Sequence, residues 1–128
     1  MKRLIKSATD YTPAIDLNPA NLTMLFSGVS RPENVGLFYQ EIIDWVLELA
    51  EEYEKGMPET LKLIFKLEYC NSASQKYFLI MLENLIEIKK QGLNLVVDWF
   101  FDEGDEKMRE DGEDISDAIG IKFNFHTF

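Results

Sequence analysis

The side chains best placed for chemistry are two hydroxyls, Ser72 and Ser74, in the stretch Cys70-Asn71-Ser72-Ala73-Ser74. Small residues with hydroxyl and amide groups, immediately before an apolar helical run, are helix N-cap signals. Upstream, Leu61, Leu63, Phe65, Leu67 and Tyr69 alternate with Lys62, Ile64, Lys66 and Glu68, the period of a strand with one buried face. Downstream, Phe78, Met81, Leu82, Leu85 and Ile86 take helical spacing. The stretch from Leu61 to Lys90 therefore predicts a strand, a polar turn and a helix, with the hydroxyls near the positive helix end. Ser72 reads first as the N-cap, worth ~1 kcal/mol. An exposed cap hydroxyl is also a site for phosphoryl transfer, because amide donors and the helix dipole tolerate the added anion.

Other reactive side chains are less well supported. Asp102, Glu103, Asp105 and Glu106 offer oxygen ligands to a hard cation and define a rival reading, a small metal-dependent enzyme. Their spacing does not match the EF-hand series, and acidic residues equally suit the first turn of a helix. His126 is the single histidine, with no Ser or Cys partner assignable from spacing, and reads as a surface or strand-end residue. Cys70 has no adjacent cation to lower its pKa and reads as a small buried hydrophobe. Trp45 and Trp99 lie on apolar faces and read as core. Gly-rich phosphate loops, zinc-ligand pairs and nucleophile elbows are absent.

The surrounding pattern supplies the elements that position the turn. Leu4 to Lys6 suggests a short strand; Thr12 to Leu17 and Asn21 to Ser27 suggest two more, joined by Asn18-Pro19-Ala20. Ser30 to Asn34 reads as a helix start. Phe38, Ile42, Trp45, Val46, Leu49 and Tyr53 form the stripe of a helix running to about Lys55, stopped by Gly56 and Pro58. After Gly92, Asn94 to Phe101 is a strand with Leu95, Val97, Trp99 and Phe101 on one face. Glu106 to Ile119 reads as one or two helical pieces interrupted at Gly112, and Lys122 to His126 as a last strand with Phe123 and Phe125 facing in. Strands separated by helices favour parallel neighbours with right-handed crossovers. Strand alternation argues against burial on both faces. The expected fold is a single-domain α/β mixed sheet over residues 1–128, with helices mainly on one face. On the other face Ile64, Val96 and Phe100 form a patch to be covered by the N-terminal segment or by a partner.

With 128 residues, 46% hydrophobic and 28% charged, the chain has material for a real core. The formal net charge of −10 argues against nucleic acid and against anionic lipid as partners. No segment approaches a membrane helix, no secretory signal is readable, and one cysteine forms no internal disulfide, which together suggest the cytoplasm.

Several segments, in order, carry a family resemblance: TPAI at 12–15, RPEN at 31–34 with Phe38, Tyr39 and Trp45 after it, EYCNSAS at 68–74, and VDWFFDEGDEKMREDGED at 97–114. Together they resemble the SiaC-type regulatory phosphoproteins, which are similar in fold to STAS domains, the anti-anti-sigma-factor architecture. The resemblance implies a non-catalytic signal-transduction protein without a cofactor. In it, one hydroxyl at the start of the helix after the central strand is phosphorylated by a partner-switching serine/threonine kinase and released by a PP2C-type phosphatase. It implies an output partner such as a diguanylate cyclase, bound and activated by the unphosphorylated form, in cyclic-di-GMP and biofilm control. The family's acceptor pattern, Tyr-Leu-Asn-Thr-Ser-Ser, laid on Tyr69 to Ser74, puts the acceptor on Ser72, with serine where the family has threonine. Ala73 replaces a hydroxyl residue, and Ser74 remains a rival acceptor. The partner surface implied is Asn71, Ser72, Ala73, Ser74, Gln75, Lys76 and Tyr77. A nucleotide- or ligand-binding STAS-like module is a further alternative.

Overall fold

The structure, a computed structural model, describes residues 1–128. The elements run β1 (Leu4–Lys6), β2 (Ala14–Asn18), β3 (Thr23–Ser30), α1 (Val35–Glu52), β4 (Thr60–Cys70), α2 (Ser72–Lys89), β5 (Asn94–Phe101), α3 (Glu106–Ile119) and β6 (Asn124–Thr127). They make one six-stranded sheet in the order β1-β2-β3-β4-β5-β6. The first two pairings are antiparallel and the last three parallel. This is the mixed sheet that the alternation implied.

The topology fixes where the helices go. Three successive crossovers, each to the adjacent parallel strand, share the usual right hand of such connections, which puts α1, α2 and α3 on the same face. That face holds the core. Leu17, Met24, Phe26, Leu61, Leu63, Phe65, Leu67, Val97 and Trp99 point from the sheet into Tyr39, Ile42, Val46, Phe78, Leu82 and Leu85 of the helices. Phe65 is central, with Phe26, Phe78 and Trp99 ring centroids at 5.3, 4.9 and 5.0 Å.

Four local expectations are corrected. The second hairpin strand runs on to Ser30, so the first long helix is entered only at Asn34, whose side chain accepts from Leu37 N, and it ends at Glu52. The helix α3 is continuous through Gly112. That glycine is a contact and not a break: a Cβ there would lie 2.6 Å from the Trp99 indole. Phe123 is buried against Trp99, but Phe125 is 37% exposed, because it lies on an edge strand all of whose residues are exposed. Tyr69 does not continue the buried face of β4. Gly28 pairs with Leu67 and Val29 with Tyr69, so β4 takes two residues for one step of β3. This bulge reverses the in–out parity of the last residues of β4. Tyr69 is 42% exposed, and Cys70 is fully buried. The left-handed φ of +104° at Gly28, on the facing strand, is the backbone freedom that accompanies the shift.

Candidate functional site

The carboxyl ends of β3, β4 and β5 lie at one end of the sheet, and each leads into a helix. The three helix starts are capped by side chains: Asn34 to Leu37 N at 3.0 Å, Asn71 to Ser74 N at 2.8 Å, and Asp105 to Met108 N at 3.1 Å. In the middle one the cap is therefore Asn71, one residue before the position the sequence suggested. Asn71 N in turn donates to Ser30 O at 3.0 Å, which ties the turn to the end of β3.

This arrangement separates the two candidate hydroxyls. Ser72 is the first residue of α2, exposed, and Asn71 has taken over capping. Ser74, two residues further on, points inward and is fully buried. Its Oγ donates to Ser30 O at 3.1 Å and accepts from Ser30 Oγ at 2.8 Å. Ser30 Oγ lies 2.5 Å from Tyr39 Oη, completing a chain of three hydroxyls between β3, α1 and α2. Burial holds the Tyr39 phenol well above its ordinary pKa, so it stays a neutral donor. No buried side-chain polar atom lacks a partner, as a closed network requires.

The remaining predicted surface residues divide in the same way. Ala73 and Lys76 are exposed; Gln75 and Tyr77 are half-buried. The Tyr77 ring stacks on Tyr39 at 5.9 Å, and its hydroxyl lies against Gly36 at the start of α1, where a Cβ would stand 2.9 Å away. Gln75 Nε2 reaches Cys70 Sγ at 3.8 Å. Burial pushes the Cys70 thiol up to about 12, with the Asp111 carboxylate adding to the effect. A thiol so held is neutral at ordinary pH, the opposite of a reactive cysteine.

The acidic stretch does not converge. Asp105 is engaged as the α3 cap, and Glu106 pairs with Arg109. No three His, Cys, Asp or Glu side chains come together to hold a metal ion. His126 is exposed on β6 and meets Asp98 Oδ1 at 2.8 Å. No helix is long and apolar enough to cross a membrane.

Sequence reasoning missed Ser30 and Tyr39, which hold the turn from beneath. Asn71 was visible in principle, since Asn is among the strongest N-caps and stands three residues before the amide it accepts from. Nothing local marked Ser30, whose partner Ser74 lies 44 residues away.

Related chains and a similar fold occur in known proteins. The family model described as SiaC family regulatory phosphoprotein matches residues 6–128. An uncharacterized protein of Pseudomonas aeruginosa, strain UCBPP-PA14, is 30% identical over 117 residues, 90% of this chain and 88% of that one. The fold is similar to SiaC of Pseudomonas aeruginosa in its complex with the diguanylate cyclase SiaD, which it activates. The TM-score is 0.85 at 26% identity, covering 98% of this chain and 99% of that one. Against apo-SiaC from the same organism it is 0.77 at 25% identity, covering 99% and 98%.

Proposed function

The chain belongs to the SiaC family of regulatory phosphoproteins, and we propose that it is a non-catalytic switch in which phosphate on Ser72 decides whether an output protein docks. The observation that carries this reading is the exposed hydroxyl at the first position of α2, left free because Asn71 does the capping. Ser74 is the poorer acceptor, since its oxygen is enclosed by the Ser30 and Tyr39 hydroxyls. A kinase of the partner-switching type adds the phosphate and a PP2C-type phosphatase removes it. The output protein is a diguanylate cyclase, by analogy with the SiaC that activates SiaD.

The physical route is local. Phosphate adds about −1.5 to −2 charge and three acceptor oxygens at a helix start that accommodates anions. The fold therefore survives. A partner packed over Ser72, Ala73 and Lys76 meets new bulk and a dianion whose burial without a cation costs several kcal/mol. Phosphorylated protein, or Ser72→Asp, is expected to lose partner binding while keeping its circular dichroism and melting profile; Ser72→Ala is expected to block phosphate incorporation and to bind constitutively. Mass spectrometry of kinase-treated protein reads the site. Phosphate on Ser74, or undiminished binding by the Ser72-phosphorylated form, would sink the proposal.

A further inference from the structure

The crossovers that put every helix on one face leave the other face of the sheet without a helix; only at its Phe100 end does the chain lay side chains over it, with the His126 ring stacked at 4.6 Å and the Phe128 ring at 6.0 Å. The N-terminal segment, which the sequence allowed as a lid, instead runs as β1 in the plane of the sheet, paired with β2. On the bare face, Leu25 and Ile64 are register partners on β3 and β4, and Val96 and Phe100 of β5 pair with Lys62 and Lys66 of β4. All four apolar side chains are half-buried. A solvated sheet face ordinarily presents polar side chains in such central positions. Here an apolar strip crosses three central strands inside a rim of Thr23, Ser27, Asn94 and Asn124, the pattern of an interaction surface.

Charge then restricts the occupant. The chain has 23 acidic residues against 13 basic ones. Yet the strip is bordered by Lys62 and Lys66, both exposed, flanking Ile64 on the same strand and bound to no carboxylate of this chain. Lys66 Nζ lies 4.9 Å over the Phe100 ring, which fixes one ammonium at the edge of the strip. Two carboxylates of this face are already engaged, Asp16 by Arg3 at 2.7 Å and Asp98 by His126 at 2.8 Å. Glu68 and Asp102 line a hollow beside Lys66 with Phe128, at the end of the strip, and neither is within ion-pair distance of a lysine.

We propose that this face docks an acidic amphipathic helix of a partner protein, with its apolar stripe on Leu25, Ile64, Val96 and Phe100 and its carboxylates on Lys62 and Lys66. A strand would add at a sheet edge and leave the face bare. A helix laid on the face repeats what α1, α2 and α3 already do on the other side. The inference goes beyond the Ser72 switch and does not depend on it.

Synthetic helical peptides of about 18 residues test it, sharing one Leu/Phe stripe and carrying Glu, Gln or Lys on the polar face. They are titrated into isotope-labelled protein and followed by amide resonances. The Glu peptide is expected to shift the resonances of Leu25, Ile64, Val96 and Phe100 and to bind roughly tenfold tighter than the Gln peptide. The Lys peptide should not bind. The double variant Lys62→Glu/Lys66→Glu should invert that order while keeping the native circular dichroism spectrum, since both side chains are exposed and the loss is confined to the Lys66–Phe100 contact. Equal binding of all three peptides, or no shift at the four positions, overturns the proposal. So does a concentration-dependent dimer in sedimentation that the double variant breaks, which would assign the face to a second copy of this chain. None of these results bears on phosphate incorporation at Ser72, which is read separately.

Discussion

Asn71 takes the capping role that the sequence had given to Ser72. The side-chain oxygen of Asn71 accepts from Ser74 N, and the exposed Ser72 hydroxyl has no part in the cap. Asn71→Ala should cost about 0.5–2 kcal/mol of stability, read by chemical denaturation, whereas Ser72→Ala should cost almost nothing. Ser74→Ala removes one member of the buried hydroxyl chain and leaves the Ser30 hydroxyl short of a partner; a loss of about 1–3 kcal/mol is expected by the same measurement. Cys70 makes a pH prediction. Burial raises its pKa from 9.0 in the unfolded chain to about 12 in the fold. Below pH 9 both states keep the proton and the contribution is fully present; between 9 and 12 only the unfolded thiol ionises, so stability falls as pH rises. Denaturation midpoints taken across that range should drop more steeply in the native chain than in Cys70→Ala.

Among the elements, α3 shows how a propensity argument loses to packing. Gly112 reads as a breaker because glycine costs a helix interior about 1 kcal/mol relative to alanine. The helix continues because Trp99 occupies the space that a side chain would need. Gly112→Ala should therefore destabilise the protein by about 1–3 kcal/mol through overpacking, despite the better helix former, and a lowered thermal midpoint would show it. The strands and helices themselves were legible wherever period and caps agreed, as in β1, β5 and the apolar stripe of α1. Tyr69 and Phe125 were misplaced for a common reason. Period two says which residues share a face only while the register holds and while something lies over that face. A bulge at Glu68 ends the first condition, and the exposed edge position of β6 ends the second. For the candidate site, the turn was legible from residue types, but the buried support from Ser30 and Tyr39 was not, because it is made by residues distant in sequence.

For the molecule as a whole, the two-layer arrangement keeps the core apart from the two surfaces proposed above for phosphate and partner. The core lies between the sheet and three helices, while Ser72 stands at the end of the sheet and the bare face lies behind it. Phosphate at Ser72 takes a chain already at −10 to about −12 without touching the core. The melting midpoints of the modified and unmodified forms should then agree within about 2 °C, measured by calorimetry on matched samples.

The strand order carries one more consequence. Every strand is beside its predecessor in the chain, so no strand has to be inserted between two that have already paired. The sheet can therefore grow in one direction, each new segment finding the edge left by the last, with the loop entropy concentrated in the three helical crossovers that join the parallel strands. The growing edge is occupied in turn by β3, β4 and β5, and each stays open until the helix and strand that follow it have formed, so these three edges are where an incomplete chain is exposed to aggregation.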